Sequence, residues 1–132
     1  MAKKQIQTIG KRKSALAKAT LRAGKGIIRI NQKLLDTVRP EMLKQRIMEP
    51  LLLSEDTWQK VDIDVVVSGG GIQGQTEASR LAIARALVEF NKKLRKTFLD
   101  YDRHLVVADV RRREQRKPND SRARSARQKS YR

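Results

Sequence analysis

Three of the four clustered glycines near the middle of the chain have the spacing of a phosphate-binding loop. Gly69, Gly71 and Gly74 reproduce the pattern GxGxxG between a strand-like apolar run and a helical apolar pattern. Dinucleotide-binding proteins hold a pyrophosphate in that context, and an acidic residue about 20 positions later binds the ribose. Positions 91–96 instead read Asn-Lys-Lys-Leu-Arg-Lys, and no Lys-Ser or Lys-Thr pair of a P-loop follows Gly74. A nucleotide cofactor is therefore disfavoured.

The same glycines allow two other interpretations. Glycine lets a backbone approach a ligand closely, and the amides of a following helix suit an anion, so the phosphate could belong to a nucleic-acid backbone. Alternatively, the glycines form only a flexible connection between strand and helix. The glycines alone leave both interpretations open.

No set of side chains suits catalysis. His104 is the only histidine and cysteine is absent, which excludes disulfides and thiolate metal ligands. Asp62 and Asp64 alternate along a strand, so they share a solvated face rather than forming an acid–base pair with a nucleophile. We therefore expect no enzyme activity, no metal and no cofactor.

Positive charge is concentrated at the two ends of the chain. The formal net charge is +17, residues 1–25 contain eight Lys or Arg and no acid, and residues 110–132 contain ten Lys or Arg against two acids. Residues 111–132 offer no aliphatic side chain larger than Ala, so burial cannot offset their ordering entropy. Such a tail can neutralise a dense array of phosphates.

Other partners fit this charge layout less well. A membrane surface is disfavoured because the tail has one aromatic residue and no apolar face, and no apolar run reaches the roughly 20 residues of a membrane span. A general DNA-coating protein of the chromatin type shares the charge and remains the alternative to an RNA-binding protein. We read residues 1–110 as one domain with a basic N-terminal segment, and 111–132 as an extended Arg-rich tail.

The apolar patterns predict the elements that carry these charges. We predict a β-hairpin over 5–31, with its turn at 23–26, Ile27–Ile30 as its second arm and a bend or bulge at Gly10. A helix begins at Pro40 and is kinked or ended by Pro50. Alternation predicts a strand over 61–67.

The second half of the chain predicts one further helix and one strand. Thr76 is the expected cap of a helix with Glu77 in its first turn, and the buried stripe runs through Ile83 and Leu87 to Phe90 and Leu94. Residues 105–108 are long enough for a short closing strand. The order β-β-α-β-α-β predicts an α+β fold, a small open mixed sheet with helices packed on one face.

Three segments together resemble a known family. They are Gly10-Lys11-Arg12-Lys13-Ser14-Ala15, then the block from Gly69-Gly70-Gly71 through Gly74-Gln75 to Ala84-Arg85-Ala86-Leu87, and the ending Gln128-Lys129-Ser130-Tyr131-Arg132. Over nearly the whole chain the sequence resembles the ninth protein of the small ribosomal subunit, with an ending like that of the archaeal and eukaryotic branch. Family tails usually carry glycines after the Lys-Pro step, where this chain has Asn119-Asp120-Ser121.

The resemblance implies a structural protein in the head of the small subunit, on cytoplasmic ribosomes. It implies a fold like the second domain of the fifth small-subunit protein, and a tail that reaches tRNA at the peptidyl site. The expected partners are small-subunit ribosomal RNA, that tRNA and neighbouring proteins of the head, without a membrane and without an obligate homo-oligomer.

The candidate site residues fall into two groups. Those expected to bind ribosomal RNA are Lys11, Arg12, Lys13, Gly69, Gly70, Gly71, Gln75, Arg111, Arg112, Arg113, Arg116, Lys117, Arg122, Arg124 and Arg127. Those expected to lie near tRNA are Lys129, Ser130, Tyr131 and Arg132, with Arg132 the best candidate for a tRNA phosphate.

Overall fold

A five-stranded mixed sheet forms one layer of the molecule. The computed structural model describes residues 5–37, 41–108, 110–112, 114–119 and 122–124. The strands are β1 (Ile6–Arg12), β2 (Ala15–Ala23), β3 (Ile28–Ile30), β4 (Lys33–Leu34) and β5 (Val61–Ser68). Their spatial order is β1-β2-β5-β3-β4, and β3 with β5 is the parallel pair.

Three helices cover one face of this sheet. They are α1 (Glu41–Leu53), α2 (Ile72–Phe90) and α3 (Leu94–Tyr101), with 3₁₀ turns at Leu35–Thr37, Thr57–Lys60 and Arg103–Leu105. Alternate residues of β2 and β5 are buried against the helices, as the period-2 pattern predicted for β5. The predicted α+β class, with an open mixed sheet and helices on one face, is confirmed.

Small residues let α2 lie directly on the first two strands. A Cβ atom on Gly10 of β1 would lie 2.1 Å from the carbonyl oxygen of Ala78, so only glycine fits there. The hydroxyl of Thr8 donates a hydrogen bond of 2.8 Å to the carbonyl oxygen of Ala82. This close packing fixes the N-terminal strand against the helix that follows the glycine turn.

The predicted hairpin over 5–31 is wrong in its turn and in its second arm. The chain reverses at Lys13–Ser14, and β1 pairs with β2 in the register Arg12↔Ala15. Residues 24–27 instead lead from β2 into β3, which pairs in parallel with β5 rather than with β2. Gly10 lies within the regular β1 ladder, and its role is contact with α2 rather than a bend.

Asp62 explains why the 24–27 segment leaves the hairpin. Its Oδ1 accepts hydrogen bonds from the backbone N–H groups of Lys25 (2.9 Å) and Ile27 (3.0 Å). The Ile27 N–H bond lowers the pKa of Asp62, and this effect outweighs the opposing effect of burial. Gly24 and Gly26 permit a turn here, and the hydrogen bonds to the Asp62 carboxylate stabilise it.

Several predicted helix boundaries also differ from the structure. Pro40 lies outside the described residues, and α1 continues beyond Pro50 to Leu53, so of the two predicted effects Pro50 does not end the helix. Gly71 rather than Thr76 stands at the N-cap of α2, and the Thr76 hydroxyl, inside the helix, donates to the carbonyl oxygen of Ile72. Leu94 does not continue the stripe of α2, because the helix ends at Phe90 and α3 begins at Leu94.

The predicted closing strand over 105–108 is wrong as well. Leu105 ends a 3₁₀ turn and is fully buried, while residues 106–108 continue without strand pairing. Leu105 packs in the core and Val106 packs partly against it, so this segment does not form an edge of the sheet. Within the ranges given above, no helix has the length and apolar character needed to cross a bilayer.

Candidate nucleic-acid interface

The N-terminal cations converge on the tight turn between β1 and β2. Lys11 and Arg12 end β1, and Lys13 opens the turn with a left-handed φ of 52°. Lys11 and Lys13 are exposed and Arg12 is half-buried. The hairpin therefore presents three consecutive cations at one end of the sheet.

The glycine turn packs against this cationic turn. Gly69 and Gly70 have φ of 75° and 65°, a conformation that L side chains rarely adopt. A Cβ on Gly69 would lie 2.6 Å from the carbonyl oxygen of Ser14, so the two turns are in contact. The side-chain amide of Gln75 donates to the carbonyl oxygen of Gly69 at 3.1 Å. Gln75 therefore holds the glycine turn, while Gly71 is exposed with no atom within 4 Å of an added Cβ.

A groove of about 530 Å³ runs from these turns along the beginnings of α1 and α2. Its lining includes Arg12, Lys13 and Arg46 as cations, with Glu49 and Glu77 as anions. The amides at the beginning of α2 lie at its edge, where the helix dipole favours negative charge. The sequence-predicted glycines and basic turn are thus brought together at one end of the molecule.

Arg80 of α2 connects the segment that follows α3 to the same end of the molecule, through a hydrogen bond to Asp102. Its side chain is 4% exposed, and its Nε donates to Glu49 Oε2 at 2.8 Å while Nη2 contacts both Glu49 and Asp102, the latter at 3.1 Å. Arg46 pairs with Glu77 at 2.6 Å beside it. A buried guanidinium needs such partners, because an unpaired buried charge is strongly destabilising.

Arg85 also connects the segment that follows α3 to the rest of the domain. Its Nε donates to the carbonyl oxygen of Val106 at 3.0 Å, and its Nη1 donates to that of Ile9 at 2.8 Å. One side chain of α2 thereby joins β1 to the segment that precedes the tail. The buried side chain of Leu105 anchors that segment in the core.

Because Arg80 and Arg85 hold the segment after α3 in this way, the two cationic ends of the chain lie close together. Arg111 lines the same cavity as Lys11 and Arg12, at the side of α2. We call this cavity of about 180 Å³ the junction cavity; it is also lined by Arg46, Glu77, Arg80, Leu81, Asp102 and His104. Sequence reasoning placed these cations on two separate arms and did not predict that the arms begin side by side.

The tail residues that the structure describes extend without helix or strand. Arg112, Arg116, Lys117, Arg122 and Arg124 are exposed. Within the tail, Arg124 donates to Glu114 at 2.8 Å.

Asn119 has a left-handed φ of 69°, so asparagine adopts here the conformation that glycine favours. The expected contacts Arg113, Arg127, Lys129, Ser130, Tyr131 and Arg132 lie outside the described residues.

Sequence reasoning missed Arg80, Arg85 and Asp102 as organising residues. One signal was available, since Arg80 stands three and seven positions before Ile83 and Leu87 and so shares their buried stripe. A cation in an apolar stripe indicates a buried ion pair. Among the described residues, no group of three or more His, Asp and Glu is placed to hold a metal ion.

Comparisons with known proteins agree with this picture. Residues 10–132 match the family described as ribosomal protein S9/S16. The chain is 46% identical over 133 residues to the small ribosomal subunit protein uS9 of Methanococcus maripaludis strain C7, covering 98% of this chain and 99% of that protein. Proteins of the same name from strains S2 and C5 of that organism match with the same identity and coverage.

The Arg80 cluster generates a prediction on pH dependence. Burial raises the pKa of Asp102, but hydrogen bonds from the His104 N–H and from Arg80 outweigh it, so the net pKa lies below its usual value of 3.8. A lowered carboxylate pKa contributes stability that is complete above 3.8 and is lost as the pH falls through the folded-state value. Asp102→Asn should lower the free energy of unfolding at pH 7 by about 1–2 kcal/mol, less than for a fully buried pair because Glu49 remains and Asp102 is partly exposed.

The measurement is urea unfolding of both proteins between pH 2 and 7. The difference between them should shrink as the pH falls below about 4. Asp100→Asn, in the last turn of α3 just before Asp102, is the matched control, because Asp100 makes no hydrogen bond or ion pair with any described residue. A difference that stays constant across this pH range would contradict the charged role of Asp102.

Proposed function

This chain belongs to the ribosomal protein S9/S16 family, and from that premise we propose that it is a structural constituent of the small ribosomal subunit that binds ribosomal RNA. The observation that carries the proposal is the convergence of Lys11, Arg12 and Arg111 on one cavity at the side of α2. A single RNA surface can engage both cationic arms at that end.

RNA phosphates suit the chemistry of this end of the molecule. Arginine presents a planar fork that binds phosphate oxygens in a bidentate manner, and the tail contains more Arg than Lys. Folded RNA is recognised largely through its shape and backbone, so a preformed turn with flanking cations suffices without base readout. We infer that the protein acts by binding alone, without turnover.

The individual RNA contacts are part of the proposal. Lys13 and the glycine turn contact ribosomal RNA at the groove, with Lys11 and Arg12 beside them. The tail then continues along RNA through its arginines, and Asn119 supplies the left-handed turn that follows Pro118. Neighbouring proteins of the subunit head are further partners, and the protein resides on cytoplasmic ribosomes.

Salt dependence tests the role of the tail. Deleting 111–132 removes ten Lys and Arg, so the slope of log affinity for small-subunit ribosomal RNA against log salt should become markedly shallower. For 6–10 neutralised phosphates the full chain should lose about 10³–10⁵ in affinity between 50 and 200 mM salt, on the scale known for duplex DNA. Filter binding over a salt series measures both slopes.

Two controls make this experiment specific. A chain whose tail arginines are all replaced by lysine keeps the charge, so it should retain the steep slope. Duplex DNA as competitor separates this function from a general DNA-coating protein, which would bind both polymers alike. An unchanged slope after the deletion would reject the tail as a neutraliser of phosphates.

The last four residues are proposed to contact tRNA at the peptidyl site, as the family resemblance implies. Deleting 129–132 should leave assembly into small subunits intact but weaken tRNA binding there by about tenfold, the effect of a charge-assisted hydrogen bond of about 1.5 kcal/mol. Reconstituted small subunits and a filter assay for tRNA measure this. Arg132→Lys, which keeps the charge, should lose less, and unaltered tRNA affinity in the deletion would refute the contact.

A further inference from the structure

A separate group of cations lies at the turn between α2 and α3. These four exposed residues, which we call the α2–α3 cluster, are Lys92, Lys93, Arg95 and Lys96. Their side chains form no ion pair or hydrogen bond with any residue that the structure describes. The acids that flank them along the chain, Glu89 and Asp100, are likewise unpaired within the described residues. Four cations against these two carboxylates leave residues 89–100 with a formal charge of +2.

Hydrogen bonds and burial hold the backbone of this turn in place. Asn91 Oδ1 accepts from the N–H of Lys93 at 3.2 Å, and the Asn91 carbonyl oxygen accepts from the N–H of Leu94 at 3.1 Å. Leu94 and Phe98, four positions apart, are the buried residues of α3, so this helix turns one face inward. The cluster therefore projects from a preformed backbone, which lowers the entropy cost of binding a partner.

The fold itself does not explain cations at this position. Lys93 stands at the N-cap of α3, and Arg95 and Lys96 follow in its first turn. The helix dipole disfavours positive charge there, and like charges spaced this closely also repel one another. The cluster thus destabilises the helix that carries it, which indicates that an external anionic partner is its role.

The α2–α3 cluster is far from the turn between β1 and β2. The glycine turn that packs on that turn precedes α2, and the cluster follows α2 at its other end. The 19 residues of α2 span about 28 Å at 1.5 Å per residue. Exposed charges are screened over about 8 Å at physiological ionic strength. Phosphates that neutralise the basic turn therefore do not neutralise the cluster as well.

The density of charge in the cluster suits an RNA backbone. Four cations occupy five consecutive positions, and the closely spaced phosphates of a nucleic acid can neutralise such a group together. Three of the four are Lys, whose flexible stem brings a point charge to phosphates that have no fixed geometry. Phe90, 42% exposed at the end of α2, adds an aromatic ring on which a base can stack.

We propose that the α2–α3 cluster binds a second RNA segment, distinct from the one that meets the turn between β1 and β2. This inference rests on the proposed function and adds a separate site to it. With an RNA contact at each end of α2, the globular domain bridges two RNA segments, and it does so without the tail.

The salt dependence of affinity for small-subunit ribosomal RNA tests this site in the full chain. The site variant carries K92Q, K93Q, R95Q and K96Q. Each phosphate contact contributes about 0.9 to the slope of log affinity against log salt, on the scale known for duplex DNA. The site variant should therefore have a slope shallower by about 3, and filter binding over a salt series measures it.

A control variant separates a local site from an effect of net charge. It removes three Lys and one Arg elsewhere, through K18Q, R29Q, K33Q and K60Q. These side chains are also exposed and make no hydrogen bond or ion pair with a described residue. The slope of the control variant should change by less than about 1. Equal changes in the two variants would overturn the site.

The melting temperature separates binding from folding. Gln, Lys and Arg have similar helix propensities, and removing the cations relieves their unfavourable interaction with the dipole of α3. The site variant should therefore melt at the same temperature as the unmodified chain or at a higher one. A lower melting temperature would assign the cations to the fold and overturn the proposal.

Crosslinking within small subunits identifies the partner. Because the chain lacks cysteine, an aryl azide can be attached singly through Thr97→Cys, one turn after Lys93, or through Ser14→Cys. We expect both positions to crosslink to ribosomal RNA, at nucleotides that do not overlap. Overlapping nucleotides, or a Thr97 position that crosslinks to protein or to nothing, would overturn the second RNA segment.

The outcomes separate this inference from the function on which it rests. Absence of RNA binding by the unmodified chain would overturn the proposed function. Normal RNA binding that the site variant retains with an unchanged slope would overturn the α2–α3 site alone and leave the proposed function standing.

Discussion

The buried guanidinium of Arg80 is the contact on which the layout of the charged ends depends. It joins α2 to Glu49 of α1 and to Asp102 after α3, and Arg85, five residues on, joins the same helix to Ile9 and Val106. Together with the buried side chain of Leu105, these bonds hold the segment before the tail. With them, the tail begins beside the basic β1–β2 turn. An internal electrostatic network therefore determines where the external charge lies.

Several acidic residues of the sheet and helices form ion pairs or hydrogen bonds within the molecule. Glu49, Glu77 and Asp102 face Arg80 or Arg46, Asp62 holds the backbone of 24–27, and Asp64 pairs with Arg22 at 2.9 Å. Glu49, Glu77 and Asp102 thereby pair with Arg46 and Arg80 rather than with cations of the arms, whereas Asp64 pairs with Arg22 of the N-terminal arm. The protein can thus keep a folded core of nearly balanced charge and still present a strongly positive surface to RNA.

Sequence patterns predicted the elements that neighbouring residues determine. They missed the features that depend on contacts between positions far apart in the sequence. Alternation identified β5, and the apolar period identified most of α2. The turn was misplaced because Gly24 and Gly26 carry familiar turn chemistry, whereas Lys13 gives no hint of its left-handed φ. The charged arms and the glycine turn were also predicted, but their convergence depends on Arg85 reaching Ile9, a contact across 76 positions of sequence. No local pattern encodes such a contact.

The most direct test of the account is whether one RNA surface meets both arms. Because the chain lacks cysteine, an iron–EDTA cleavage reagent can be tethered singly through Ser14→Cys at the turn, Val110→Cys before the tail, or Gln59→Cys at the opposite end of β5, about 23 Å away. Mapping the cuts in small-subunit ribosomal RNA should give overlapping nucleotides from Ser14 and Val110 and different or no cuts from Gln59. Separate cleavage sites from Ser14 and Val110, or cuts mainly from Gln59, would contradict the account.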